Sequence, residues 1–84
     1  YNIPISPHVG GGGIVAIAAT LQYSINTPNF LIMEHSEQGH GVKAAILSEN
    51  YDAKDGKYSL PARPGLGLMV DEDKLEKYTI QPTL

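Results

Sequence analysis

Ser6-Pro7-His8-Val9-Gly10-Gly11-Gly12-Gly13 and, further on, Asn29-Phe30-Leu31-Ile32-Met33-Glu34-His35 decide how this chain is read. Each belongs to a short apolar run that stops at an ionisable side chain, His8 in the first and Glu34 in the second. Between them lies a segment with helical periodicity. Two parallel strands joined by that helix would bring His8 and Glu34 out side by side at one edge of a sheet. That edge, beyond the carboxyl ends of the strands, is where α/β proteins place their chemistry.

Working outward, Ile3 and Ile5 alternate with Asn2, Pro4 and Ser6, which reads as a short strand over residues 1–7. Proline cannot donate to a sheet ladder, so Pro4 and Pro7 imply irregular or partial pairing. Gly10 to Gly13 form the turn. A run of four glycines is entropically costly. It serves either a tight connection or room for an anion beside the N–H groups of the next helix. Ile14, Ile17, Ala18, Leu21 and Ile25 then form one apolar stripe, which predicts a helix from Ile14 to about Asn26. Thr27-Pro28 ends it, because the residue before proline is pushed out of the helical region. Phe30 to Met33 is continuously apolar, as in a parallel strand covered on both faces.

The second half is shorter-ranged. His35 to Gly41 is a polar loop, and Val42 to Leu47 is an apolar segment of unassigned type. Asp55-Gly56 is a two-residue hairpin signal. Pro61, Pro64, Gly65 and Gly67 punctuate the chain with turns. Asp71 caps a short helix through about Tyr78, with Glu72 and Asp73 early and Lys74 and Lys77 late, as the helix dipole favours. Leu75 and Tyr78 would give that helix an apolar edge.

The composition excludes several classes. The 84 residues include no cysteine, so disulfides, zinc-thiolate sites and a thiol nucleophile are ruled out within them. A net charge of -3 with only six Lys and Arg argues against a nucleic-acid surface. No apolar run is long enough to span a bilayer, and no signal-peptide pattern is visible. Together these lead us to expect a cytoplasmic protein. One strand-helix-strand unit leaves open sheet edges and an uncovered face. We therefore expect the C-terminal end of a larger α/β protein rather than a complete small domain.

Two chemical readings compete. Gly11-x-Gly13-x-x-Ala16 matches a dinucleotide-binding fingerprint, and Glu34 follows about 20 residues later, where a ribose-binding acid belongs. The prolines and His8 before the glycines weigh against it. No Lys-Ser/Thr follows them, which excludes a P-loop. The second reading pairs the His8 imidazole with Glu34 across strands about 4.8 Å apart, an acid-base pair flanking one small ligand. Against both stands a plain turn histidine and a salt-bridged glutamate. His35 and His40 fit a solvated loop better than a metal site, since their spacing is not that of a zinc helix.

The order of these residues resembles the end of the mandelate racemase-like branch of the enolase superfamily. Pro7-His8, the glycine turn, Ala16-x-Ala18-Ala19-x-Leu21-Gln22 and Pro28-Asn29-Phe30-Leu31-Ile32-Met33-Glu34 carry the first half of that resemblance. Asp55-Gly56-x-Tyr58-x-Leu60-Pro61, Pro64-Gly65-Leu66-Gly67-Leu68-x-Val70-Asp71-Glu72 and Leu75-x-Lys77-Tyr78 carry the second and more specific half. The resemblance implies a modified TIM barrel with an α+β capping domain. Residues 1–48 would supply the seventh strand, helix and eighth strand, and residues 49–84 a segment packing on the cap. It implies that His8 acts as general base or acid on the carbon α to a carboxylate, or protonates a leaving hydroxyl, and that Glu34 hydrogen-bonds the substrate carboxylate as an enolate forms. It also implies Mg2+ with ligands upstream of Tyr1, a sugar-acid substrate, a homo-oligomer, and inactivity of the isolated chain. Pro-His with a glycine turn and Asn-Phe-x-x-x-Glu is most similar to acid-sugar dehydratases of the galactonate type. Racemases and epimerases share much of the pattern.

Overall fold

The computed structural model describes residues 1–9, 12–35, 44–49 and 53–80. Helix α1 spans Ile14–Ile25. Gly13 is its N-cap in an extended conformation without a side-chain cap, and Asn26 is its C-cap. Its last carbonyls are taken by side chains of the residues that end it. Asn26 Nδ2 donates to Gln22 O at 2.8 Å, and Thr27 Oγ1 to Tyr23 O at 2.7 Å. These bonds occupy acceptors that a helix end leaves open.

Ile14, Ile17, Ala18 and Leu21 are buried, as the stripe predicts, and Leu47 joins them to form the core. Val9, Met33, Ile46, Tyr58, Leu60 and Leu68 pack around it. The stripe fails at its end: Ile25 is 67% exposed, whereas Ser24 is buried. Ser24 meets its polar requirement by donating from Oγ to Thr20 O at 2.7 Å, so it tolerates burial. Ile25 has outrun the residues that pack on α1 and lines an open cavity.

The two runs lie parallel, joined at one bridge between Ile5 and Phe30. Ile5 N–H donates to Asn29 O and Leu31 N–H to Ile5 O, both at 2.8 Å. The expected strand over residues 1–7 is thus reduced to a single pairing, consistent with the two prolines that flank it. The expected burial of Phe30–Met33 on both faces is not found. Phe30, Leu31 and Ile32 are exposed, because the described residues contribute only α1 and the hairpin beside them.

The hairpin forms at Asp55-Gly56. Lys54 and Lys57 pair antiparallel, and both turn residues have positive φ, 52° and 72°. That is the backbone of a type I′ turn, which the Asp-Gly signal selects. A second antiparallel bridge joins Leu47 to Val70. Helix α2, Glu72–Lys77, follows it with Asp71 as N-cap accepting from Lys74 N. Leu75 and Tyr78 do not form a buried edge: both are exposed, and α2 buries none of its side chains. It is held by its cap and by Lys74 Nζ, which donates to Leu47 O at 3.1 Å.

The described packing leaves much surface uncovered. The accessible area is 6542 Å2, against about 4,900 Å2 for a typical folded monomer of this 9.0 kDa mass. No helix is long and apolar enough to cross a membrane among the described residues.

Candidate functional site

His8 and Glu34 meet at the ends of the two runs. His8 Nε2 lies 3.2 Å from Glu34 Oε2. Both side chains reach solvent, at 77% and 45% exposure. The neighbouring backbone fixes where they emerge: Glu34 N–H donates to Pro7 O at 3.1 Å, one residue before the histidine. Asn29 Nδ2 donates to Ile3 O at 2.6 Å at the other end of the pairing. An imidazole nitrogen and a carboxylate oxygen at this distance are within hydrogen-bond reach of each other, and both remain accessible to a small polar molecule.

The glycine turn between the first run and α1 divides by function. A Cβ on Gly12 would fall 2.8 Å from Ala16 Cβ and 3.1 Å from Val9 O. Gly12 therefore serves the tight connection. Gly13 faces open space, so of the two described glycines it alone has room beside it. Gly10 and Gly11 lie outside the described residues.

His35 is exposed and its Nδ1 lies 2.7 Å from Tyr58 Oη, with the rings 5.7 Å apart and tilted. The loop reading of His35 missed this contact, since no periodicity links it to a tyrosine beyond the hairpin turn. His40 lies outside the described residues. A cavity of about 840 Å3 opens between α1, residues 30–33 and the hairpin. Neither His8 nor Glu34 lines it. Its walls mix apolar side chains such as Leu21 and Phe30 with Thr27, His35, Lys57 and Tyr58, but among the described residues hold no carboxylate to pair with an imidazole. The His8–Glu34 edge is the better candidate for chemistry.

No group of three metal-ligating side chains occurs among the described residues. One imidazole with one carboxylate does not fit the oxygen-rich octahedron that magnesium takes. The residues of this site therefore do not make a magnesium centre.

Residues 1–74 match the family described as enolase C-terminal domain-like. The chain belongs to that family. Its membership fits a TIM-barrel fragment and replaces the dinucleotide reading of the glycines. The chain is 34% identical to a D-galactarolactone cycloisomerase of Agrobacterium fabrum, over 93% of this chain and 22% of the relative. It is 37% identical to a D-gluconate/D-galactonate dehydratase of Picrophilus torridus, over 77% of this chain and 17% of the relative. It is 30% identical to a D-galactonate dehydratase of Xanthomonas oryzae pv. oryzae, over 98% of this chain and 23% of the relative. This enolase C-terminal domain-like chain thus spans about a fifth of the length of the curated relatives it matches. No solved structure matches it.

Proposed function

We propose that this chain is the C-terminal portion of an acid-sugar dehydratase, with His8 and Glu34 in its active site. The 3.2 Å approach of these two side chains at the end of a parallel pairing carries the assignment. In it, residues 1–48 close the barrel as its seventh strand, helix and eighth strand, and residues 49–84 pack on the capping domain. The exposed Leu31 and Ile32 are then covered by neighbouring barrel elements.

The reaction removes a proton from the carbon next to a carboxylate and expels water from the next carbon. The C–H electron pair moves into the carboxylate as an enolate, and the abstracted proton goes to a base outside the described residues. Glu34, in its acid form, donates a hydrogen bond to the enolate oxygen. The enolate then reforms the carboxylate as a C=C bond is made and the C–O bond breaks. His8, as imidazolium, gives its Nε2 proton to the departing hydroxyl, which leaves as water. Magnesium dependence, cytoplasmic location and homo-oligomeric assembly belong to the same proposal as family expectations. They involve none of the residues assigned here.

Incubating the full-length protein with D-galactonate or D-gluconate and weighing the product tests the proposal. Loss of one water is expected, and absence of any such product from a panel of sugar acids would refute it. The cycloisomerase relative favours a second reading, in which D-galactarolactone is converted without change of mass. A racemase or epimerase would instead exchange the α-hydrogen with deuterated water and lose no water.

A further inference from the structure

Ile5 bonds two residues of its neighbour that are two apart, Asn29 through its N–H and Leu31 through its carbonyl. In an unbroken parallel ladder the next bonding residue would be Pro7, with its N–H on Leu31 O and its carbonyl on Met33 N. Proline has no N–H, so the first of these bonds cannot form. The second has moved: the Pro7 carbonyl accepts from Glu34 N–H at 3.1 Å. Relative to the register set at Ile5, this bond is displaced by one residue, the offset that a β-bulge between Leu31 and Glu34 produces.

The offset changes which face Glu34 occupies. Ile5 and Phe30 are bridge partners and face the same side. With side chains alternating along each run, His8, three residues after Ile5, faces the opposite side. Glu34, four residues after Phe30, would return to Ile5's side if alternation were unbroken. The carboxylate and the imidazole would then lie on opposite faces. Instead they are 3.2 Å apart.

We propose that Pro7 is a positioning residue: by withholding an N–H it forces the bulge, and the bulge turns Glu34 onto the face of His8. The catalytic part of this statement rests on the roles proposed above for His8 and Glu34, whereas the geometric part does not.

Residue-resolved amide exchange on the full-length protein tests the geometry. Slow exchange at Glu34 with fast exchange at Met33 is expected. Slow exchange at Met33 with fast exchange at Glu34 would mean an unbroken ladder and overturn the proposal, with no variant needed. In Pro7→Ala the restored N–H permits the regular ladder, so protection should pass from Glu34 to Met33. Pro4→Ala, whose added N–H points to the other edge of the run, should leave the pattern unchanged.

Dehydration of D-galactonate tests the consequence. Pro7→Ala should lower kcat/KM by about 10²-fold, the size of effect that a misplaced catalytic group produces. Adding Glu34→Gln to Pro7→Ala should cost little more, because both changes remove the same group from the site. Losses that multiply would show that Pro7 acts elsewhere. If Glu34→Gln alone keeps full activity, the proposed function of Glu34 fails, and the exchange pattern still decides whether Pro7 sets the register.

Discussion

His8 Nε2 and Glu34 Oε2 approach to 3.2 Å although 25 residues of turn, helix and run separate them in sequence. Both are solvent-accessible, so their contact is not a device for stabilising a core. Exposed ion pairs contribute little to folding. Substituting either should leave the fold intact and act on chemistry. In the full-length protein, His8→Asn and Glu34→Gln are each expected to lower dehydration by roughly 10²–10⁴-fold, with unfolding by urea unchanged. Full activity in either variant removes that residue from the mechanism.

Leu47 and Leu31 give a paired test of what covers the chain. Leu47 is buried at 5% exposure, so Leu47→Ala should cost about 2–5 kcal/mol. Leu31 is exposed within this chain. If neighbouring barrel elements cover it, Leu31→Ala should cost a similar amount in the full-length protein, measured by urea unfolding. A change within about 0.5 kcal/mol, as for ordinary surface positions, would mean that no such layer lies over residues 30–33.

Gly67 and Gly56 share a positive φ of 72° but differ in surroundings. A Cβ on Gly67 would fall 2.5 Å from Pro61 Cγ, whereas one on Gly56 meets nothing within 4 Å. Gly56→Ala should therefore cost only the left-handed penalty of about 1–2 kcal/mol. Gly67→Ala should add about 1–3 kcal/mol of overpacking. Thermal unfolding of the two variants side by side checks the difference. Equal losses would show that Pro61 yields without strain.

Asp71 caps a helix that buries nothing, so the cap is a large part of what holds α2. Asp71→Ala should cost about 0.5–2 kcal/mol, and Asp71→Asn much less because asparagine also caps. Amide exchange over residues 72–77 should speed up in the first variant and not in the second. Similar exchange in both would transfer the helix's support to the Lys74 bond with Leu47.

Much of this architecture is legible in the sequence where the cause is local. The α1 stripe, the Asp55-Gly56 turn and the Asp71 cap each follow from a rule that spans a few residues, and each is found. That His8 and Glu34 emerge at neighbouring run ends was legible for a different reason: both end apolar runs that a parallel connection sets side by side, although that connection alone does not say that they share a face. What misleads is burial. Periodicity identifies Ile25 and the run Phe30–Ile32 as apolar, but only tertiary neighbours decide whether an apolar residue is covered. Leu75 and Tyr78 fail in the same way. The bulge at residues 31–34 was hidden for a third reason. Pro7 announces that a ladder bond is lost, yet sequence does not say which residue takes the vacated place.

The exposed run Phe30-Leu31-Ile32 has a bearing on how the 84-residue chain behaves on its own. It is short, apolar and uncharged, and it begins at the bridge between Phe30 and Ile5. Such a stretch is a template on which further copies can stack into cross-β fibrils. Pro28 on one side and Glu34 on the other are gatekeepers of the kind that limit this stacking. The carboxylate proposed to hold a substrate would thus also interrupt self-assembly, and replacing it with glutamine removes that charge. Preparations of the 84-residue segment carrying Glu34→Gln should accordingly precipitate sooner than the parent sequence.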